Sequence, residues 1–480
     1  MKAQSERLGK EPIPQLLARL ALPAMFGMFV MAVYNVVDII FIARAVGTVG
    51  VAAVSIAFPV KMIMMAVAGA IGLGASSVIA RMLGAGKTDT ANQVFGNVIS
   101  LVLLVSLIGI FLGLSQLTPI LYLFGSSETI LPFARDYLGI ILYGTIFFAF
   151  AFAMNNIVRS EGNAKTAMMT MLVSAGFNII LTPIFIFVLG WGIKGAALST
   201  VLSQGITALY LVLYFASGKS SLSFHMRYLR PRLLIVKQIM AVGSSAFVHQ
   251  AAGSIMLIIA NHMLIIHGGD LAVGVFGMMH KVLMFYFMPI YGIAQGLLPL
   301  VGFNYGAHLY HRVSESIVMA FKASTMIAAF AFMSILIFPG PIMMIFTNDS
   351  DALHMGQNAL PVMFALSVTI GVQMVAGVVF QALGKAKAAF VLSMSRQLLF
   401  LIPLLLLLPA LWGLPGVWLA FPLADFLAFL LSLAFIYKYR QTFFVHKYCP
   451  RPEASVAAAP PAPPVAGNTP GEYCQVMDKT

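Results

Sequence analysis

Charge is scarce in this chain. Of 480 residues only 9% are Asp, Glu, Lys or Arg, and just 15 are acidic. A soluble domain carries about 25% charged residues. A chain that is 60% hydrophobic therefore has too little polar surface to face water and uses lipid as its solvent. Cysteine is nearly absent: Cys449 and Cys474 both lie at or beyond the C-terminal end of the apolar region, which excludes a disulfide framework. The chain has no H-E-x-x-H motif, no evident pair of intramembrane acids to hold Mg²⁺, and no nucleophile of obvious use near His280 or Lys281. A membrane enzyme needs one of these arrangements, so the chain reads as a non-enzyme without a cofactor or a metal. No cleavable signal peptide is expected, because the first apolar segment is too long and lacks a small-residue cleavage site.

Apolar runs are plentiful. Twelve are long enough to cross a bilayer as helices, at about 20 residues each. They cover 15–44, 51–80, 93–116, 132–156, 166–189, 192–217, 237–265, 273–302, 314–340, 356–382, 388–410 and 414–439. None shows the alternation of barrel strands. The first six spans repeat in the second six at an offset of 222 residues. Gly47 falls on Gly269, Gly74 on Gly296, Gly84-Ala85 on Gly306-Ala307, and Gly162 on Gly384; after one gap Trp191-Gly192 falls on Trp412-Gly413. An even number of spans per repeat leaves both halves pointing the same way, so the expected symmetry is a pseudo-two-fold axis along the membrane normal. The fold class is thus all-α integral membrane: twelve helices in two six-helix bundles. The expected organisation is an N-terminal bundle over 1–217, a polar connector over 218–236, a C-terminal bundle over 237–440, and a Pro/Ala-rich disordered tail over 441–480.

The net charge of +13 is a topology signal rather than a sign of nucleic-acid binding. Every second loop is basic: Arg7 and Lys10 before the first span, Arg81 and Lys87 after the second, Arg159 and Lys165 after the fourth, Arg227 to Lys237 between the halves. The alternate loops and their flanks carry Glu128, Arg135, Asp136, Asp270, Asp349 and Asp351, with Arg44 and Lys194 as exceptions. The positive-inside rule puts both termini and the basic loops in the cytoplasm, as expected of a multi-pass protein of the cytoplasmic (inner) membrane. Lipid is its surrounding partner, and a monomer is expected.

Two acids lie well inside spans, away from helix ends: Asp38 in the first and Asp425 near the middle of the twelfth. An acid at membrane depth costs roughly 2.5–3.5 kcal/mol on insertion scales and survives where a cavity, partner or ion meets it. Asp38 has no basic residue placed in sequence to pair with it. Burial favours its neutral form and a bound cation its carboxylate, which is the behaviour of a proton- or cation-coupling site; helix–helix hydrogen bonding is the plainer reading. For Asp425, Arg396 in span 11 lies at similar depth, and a structural Arg396–Asp425 ion pair explains both residues. Lys61, His280 and Lys281 fit cavity lining and snorkelling equally.

These residues resemble the multidrug and toxic compound extrusion (MATE) family over about residues 10–440. The match rests on Pro23 and Val36-Val37-Asp38 of span 1, Gly84-Ala85-Gly86 after span 2, Arg159-Ser160-Glu161-Gly162-Asn163 after span 4, Met288-Pro289 through Asn304-Tyr305-Gly306-Ala307 of span 8, and Phe380-Gln381-Ala382-Leu383-Gly384-Lys385 closing span 10. The resemblance implies a cation-coupled antiporter that exports cationic amphipathic compounds by alternating access. It also implies a coupling site built from Asp38, Asn178 and Thr200, with Thr182 where relatives often carry a second acid. One carboxylate fewer weakens the case for sodium and favours protons. Pro23 is the expected hinge of span 1, and Tyr34 and Asn35 the expected cavity lining. The repeat puts Ala260 where the first half has Asp38, so coupling is expected in the N-terminal half alone. The 30 Met and 37 Phe suit a permissive apolar pocket, though both are ordinary membrane residues. The alternative is a flippase for a lipid-linked saccharide or cell-wall precursor, which calls for cationic side chains in the cavity.

Overall fold

In a computed structural model, which describes residues 3–440, the chain forms helices throughout its apolar runs. The reason is the solvent: lipid offers no hydrogen bonds, so each crossing segment must satisfy its own backbone. Among the described residues nine helices are long and apolar enough to cross a membrane, and two more spans are helix pairs bent by 52° and 55°. The 74-residue helix Leu233–Gly306 breaks at Gly269, where φ is 65°, and so supplies two spans. Twelve crossings result among the described residues. Spans 1 to 3 are Ile13–Val46, Thr48–Gly84 and Thr88–Ser115. Span 4 is the bent pair Leu131–Tyr143 and Thr145–Ser160. Span 5 is Ala164–Pro183, extended by a π-helical turn over Ile184–Val188, and span 6 is Gly192–Ala216. Spans 7 and 8 are the two arms of Leu233–Gly306, and span 9 is Tyr310–Ile337. Span 10 is the second bent pair, Ser350–Met363 and Val368–Ala382; span 11 runs from Ala386 to Trp412 with a π-helical stretch over Ser395–Leu401; span 12 is Leu414–Lys438. Span 7 starts at Leu233, four residues ahead of the sequence boundary. The proposed tail, with Cys449 and Cys474, lies outside the described residues.

The repeat is visible in the backbone. Left-handed residues recur in pairs at the repeat offset: Gly47 and Gly269, Gly86 and His308, Gly162 and Gly384, Gly192 and Gly413. Each closes a short turn between spans. His308 is the non-glycine member of the set, at φ 58°.

The two halves touch through glycines. A Cβ on Gly84 would lie 1.9 Å from the Phe303 carbonyl oxygen, and one on Gly306 would lie 2.0 Å from that of Arg81. Arg81 and Phe303 are themselves repeat partners, so these are one contact seen twice, and the pseudo-two-fold axis passes between the ends of spans 2 and 8. Gly74 and Gly243 make a second backbone-close crossing between spans 2 and 7. Its repeat counterpart sets Gly296 of span 8 against Leu20 and Ala21 of span 1. These contacts lie toward the basic-loop end. One apolar core there joins Leu16, Leu17 and Leu20 of span 1 to Leu297, Val301, Val379 and Phe380 of the other half. The N-terminal helix Ala3–Lys10 is held to the same end: Asn304 and Arg312 donate to the Leu8 carbonyl at 2.9 and 3.2 Å, and Arg312 to that of Glu11 at 2.6 Å. Toward the opposite end each half keeps its own core, around Tyr137 and Leu142 in one and Phe276 and Trp418 in the other. The bundles thus meet at the basic-loop end. The connector is strapped to span 3, with Asn97 donating to the Tyr228 carbonyl at 3.1 Å and Ser100 to that of Leu229 at 2.5 Å.

Gly84→Ala and Gly306→Ala each force backbone apart at this seam. Both are expected to lower the thermal midpoint of the purified protein by several degrees. Gly109→Ala, whose added methyl meets nothing within 4 Å, is expected to leave it unchanged.

Candidate functional site

Spans 1, 5 and 6 converge on a small polar cluster in the N-terminal half. Asn178 and Thr182 are one turn apart on span 5 and so share a face. Pro183 follows Thr182, and the helix continues as a π-turn over Ile184–Val188, a distortion common at functional sites. The Thr182 hydroxyl is the hub. It lies 3.3 Å from Asp38 Oδ1, 3.3 Å from Asn178 Oδ1 and 2.8 Å from Ser199 Oγ. A hydroxyl has one proton, so donation to Asp38 and to Asn178 are alternatives. Asn178 Nδ2 donates to Thr200 Oγ1 at 3.3 Å. Asn178, Thr182, Ser199 and Thr200 are buried, and Asp38 is half-buried at their edge.

The four residues singled out by sequence are therefore brought together, and Ser199 is a fifth that sequence reasoning missed; its position next to Thr200 was the available signal. Lys61 of span 2 also belongs to this region. Its Nζ donates to Tyr137 Oη at 3.4 Å and sits 5.8 Å from that ring's centre, within electrostatic range of Asp38 and Tyr34. Asp38 is thus not without a nearby base; the base comes from another span. Among the described residues no group of three His, Cys, Asp or Glu side chains is placed to hold a metal ion.

Two cavities adjoin each other. One of about 280 Å³ lies in the N-terminal half against Met28, Met31, Tyr34, Phe148, Phe152 and Met171. The other, also of about 280 Å³, lies against Tyr291, Gln295, Gln373, Arg396 and Gln397. Phe152 and Gln295 line both. Repeat-related positions line the two with different chemistry: Ser174 answers to Arg396, Met28 to Gln250 and Arg159 to Gln381. Tyr34 lines the first cavity, as its place one turn from Asp38 suggested. Asn35 does not join that wall; it is exposed and donates to the Met31 carbonyl at 2.7 Å. Pro23 sits inside an unbroken helix from Ile13 to Val46, where its missing N–H leaves one backbone carbonyl unpaired.

Arg396 Nε donates to Asp425 Oδ1 at 2.5 Å, and Asp425 is 1% exposed. The pair that sequence depth suggested is present, and its guanidinium forms part of the second cavity's wall. Gln373 Nε2 donates to the Asp425 carbonyl at 2.9 Å. His280 packs beside the Phe276 ring, and Lys281 is exposed.

Two charges assigned to loops by sequence are buried. Arg159 closes span 4 at 7% exposure. Glu161 is fully buried and accepts from Ser220 Oγ at 2.6 Å, the Ser221 amide at 3.1 Å and Tyr214 Oη at 3.5 Å. It ties the turn after span 4 to the start of the connector. Burial pushes its carboxyl up from 4.5 to about 7, against the pull of those hydrogen bonds. A raised acid is favoured in its protonated form, so its contribution to stability is complete below about pH 4.5 and is lost as pH rises through about 7. Wild type is therefore expected to lose thermal stability relative to Glu161→Gln over that range, by up to about 3 kcal/mol. Melting curves of the two proteins at stepped pH check this; parallel curves would contradict it.

The MatE family profile matches the chain twice, over residues 23–184 and 246–407, once in each half. The MATE multidrug transporter DinF-BH, solved with a small molecule bound, is 48% identical. The match covers 92% of this chain and 100% of that one, with a TM-score of 0.86. A MOP superfamily transporter from Pyrococcus furiosus is 27% identical over 92% of this chain and 98% of its own, with a TM-score of 0.85. The multidrug export protein MepA of Staphylococcus haemolyticus (strain JCSC1435) is 26% identical over 380 residues, 79% of this chain and 84% of the relative. Two family matches, a shared fold over nearly all of each chain and twelve apolar crossings lead to one conclusion: this multi-pass membrane protein belongs to the MatE family of transporters.

Proposed function

We propose that the protein is a proton-coupled antiporter that exports cationic amphipathic drugs or toxins across the cytoplasmic membrane by alternating access. Its relatives include proteins named multidrug exporters. The observation that carries the coupling is the contact of Asp38 with Thr182, at 3.3 Å, one turn from the Tyr34 wall of the cavity. Asp38 holds one positive charge at a time, either a proton or the charge of the substrate, because the low-dielectric site favours neutrality. Protonation removes the carboxylate as an acceptor for Thr182 and for any cation. The link between spans 1 and 5 then changes together with the affinity for substrate. Such differential binding is what couples ion to drug.

The oxygens around Asp38 include one carboxylate; the rest are amide and hydroxyl groups. Hard cations such as sodium take several oxygen ligands and gain most from charged ones, so this set favours a proton. Pro23, in the half of span 1 that packs on span 8, is the hinge about which the span would bend. With the basic loops in the cytoplasm, the glycine seam closes the cytoplasmic side. Reopening it requires the crossings at Gly84 and Gly74 to separate. Both termini are then cytoplasmic, and the protein acts as a monomer. The flippase alternative calls for several cationic groups in the cavity; Arg396 is neutralised by Asp425, and Arg159 alone is too little to hold a pyrophosphate.

Efflux of ethidium from cells producing wild type or Asp38→Asn, under separate pH and sodium gradients, tests this. The expected outcome is efflux that follows the pH gradient, ignores sodium and falls at least tenfold in Asp38→Asn at equal protein level. Sodium dependence would replace the proton with a cation at the Thr182 cluster. Unchanged efflux in Asp38→Asn would remove that acid from coupling. No efflux of any cationic dye by well-produced wild type would favour the flippase.

A further inference from the structure

Arg159 is the charge that the transport reading leaves unused. It sits in the last turn of Thr145–Ser160 and is 7% exposed. The one hydrogen bond of its guanidinium among the described residues is from Nη2 to the thioether of Met171 at 3.5 Å, a weak acceptor. No carboxylate compensates it. Glu161, two residues on, has its oxygens taken by Ser220, Ser221 and Tyr214, and no ion pair of Arg159 occurs among the described residues. A guanidinium buried without a counter-charge costs several kcal/mol. Such groups persist where a ligand supplies the missing charge. Arg159 lines the N-terminal cavity, in company with Asn155, Asn156, Thr170 and Gln204. The basic end of this cavity is therefore cationic and polar.

The other end has the opposite sign. Tyr34 lines the same cavity, and Asp38 follows it by one turn on the same face of span 1. Span 5 gives the scale. Met171 touches Arg159 and Thr182 touches Asp38; at 1.5 Å per residue the two contacts lie about 16 Å apart along the helix. Between them the wall is Met28, Met31, Phe148 and Phe152. The cavity is thus apolar along its length, with a carboxylate beyond one end and an unpaired guanidinium at the other.

We propose that this cavity selects zwitterionic amphipaths, with Arg159 taking the substrate's carboxylate while its cationic end lies toward Asp38. The inference rests on the export reading above and narrows its substrate class. Guanidinium and carboxylate match in bidentate geometry, so Arg159 fixes which way round the substrate enters. The two ends then have separate duties. The Arg159 end anchors the substrate, and the Asp38 end exchanges substrate charge for a proton.

The test uses full-length protein in detergent and two fluorescent probes: a cationic xanthene dye bearing a free carboxylate, and the same dye as its ethyl ester. Wild type is expected to bind the acid at least as tightly as the ester, read by polarisation. In Arg159→Ala and Arg159→Gln the acid should weaken tenfold or more and the ester less than threefold, with partial recovery of the acid in Arg159→Lys. Equal weakening of both dyes would assign Arg159 to shaping the cavity, and unchanged affinity for both would remove it from recognition; either overturns the proposal. Ester binding also reports whether each variant is folded. If none binds ester, wild type decides: tighter binding of the acid supports the proposal, and a tenfold preference for the ester overturns it. If wild type binds neither dye, the export reading fails and this proposal falls with it. If wild type binds the ester but Arg159 does not discriminate the acid, only this proposal fails.

Discussion

A charge inside a bilayer must find a counter-charge, a hydrogen-bonded partner or a proton, and this constraint orders most of the polar structure described here. The 15 acidic residues leave few ways to meet it. Asp425 meets it permanently, through a 2.5 Å contact with Arg396. Glu161 meets it with three donors and a carboxyl held near neutrality. Asp38 meets it partially: Thr182 is within reach, Lys61 is near, and the acid stays half-buried at the edge of its cluster. A partly satisfied acid next to a cavity is one whose partner can be exchanged. Exchange is the elementary step of an antiporter.

The second constraint is steric. Two bundles of six helices can move against each other only if they meet over a limited surface, and here that surface is built from backbone. Gly84 and Gly306 form one contact twice around the pseudo-axis, and Gly74 with Gly243 adds a crossing. Small residues let helices approach closely in lipid, where packing replaces the hydrophobic effect as the force between them. The same duplication places two cavities at repeat-related positions, yet their side chains have diverged. Ser174 faces one cavity where Arg396 faces the other, and Gln204 stands where the second half has Asp425. A symmetric scaffold thus carries an asymmetric pair of sites.

Much of this was legible in the sequence, for physical reasons that apply to particular residues. The spans could be read because lipid tolerates few charges, and the halves because glycines at turns and seams cannot be replaced without strain. Asn178 and Thr182 could be placed on one face by helical spacing alone, and Arg396 matched to Asp425 by depth. Other features needed three dimensions. Ser199 and Lys61 join the Asp38 region from spans 6 and 2; adjacency to Thr200 is the sole sequence signal for Ser199, and Lys61 has none. Arg159 and Glu161 lie in a short basic stretch between spans and read as loop charges; their burial follows from how the turn after span 4 tucks under the connector. Asn35 was assigned to the cavity by proximity to Asp38, but three residues of helix turn it to a different side from that wall.

The central claim is that proton and substrate compete for Asp38. The most direct measurement is proton release when a cationic dye binds to the purified protein in weakly buffered solution. The account predicts about one proton released per dye bound by wild type, and dye binding without release by Asp38→Asn. Release that persists unchanged in Asp38→Asn, or dye binding to wild type with no release at any pH tested, would contradict it.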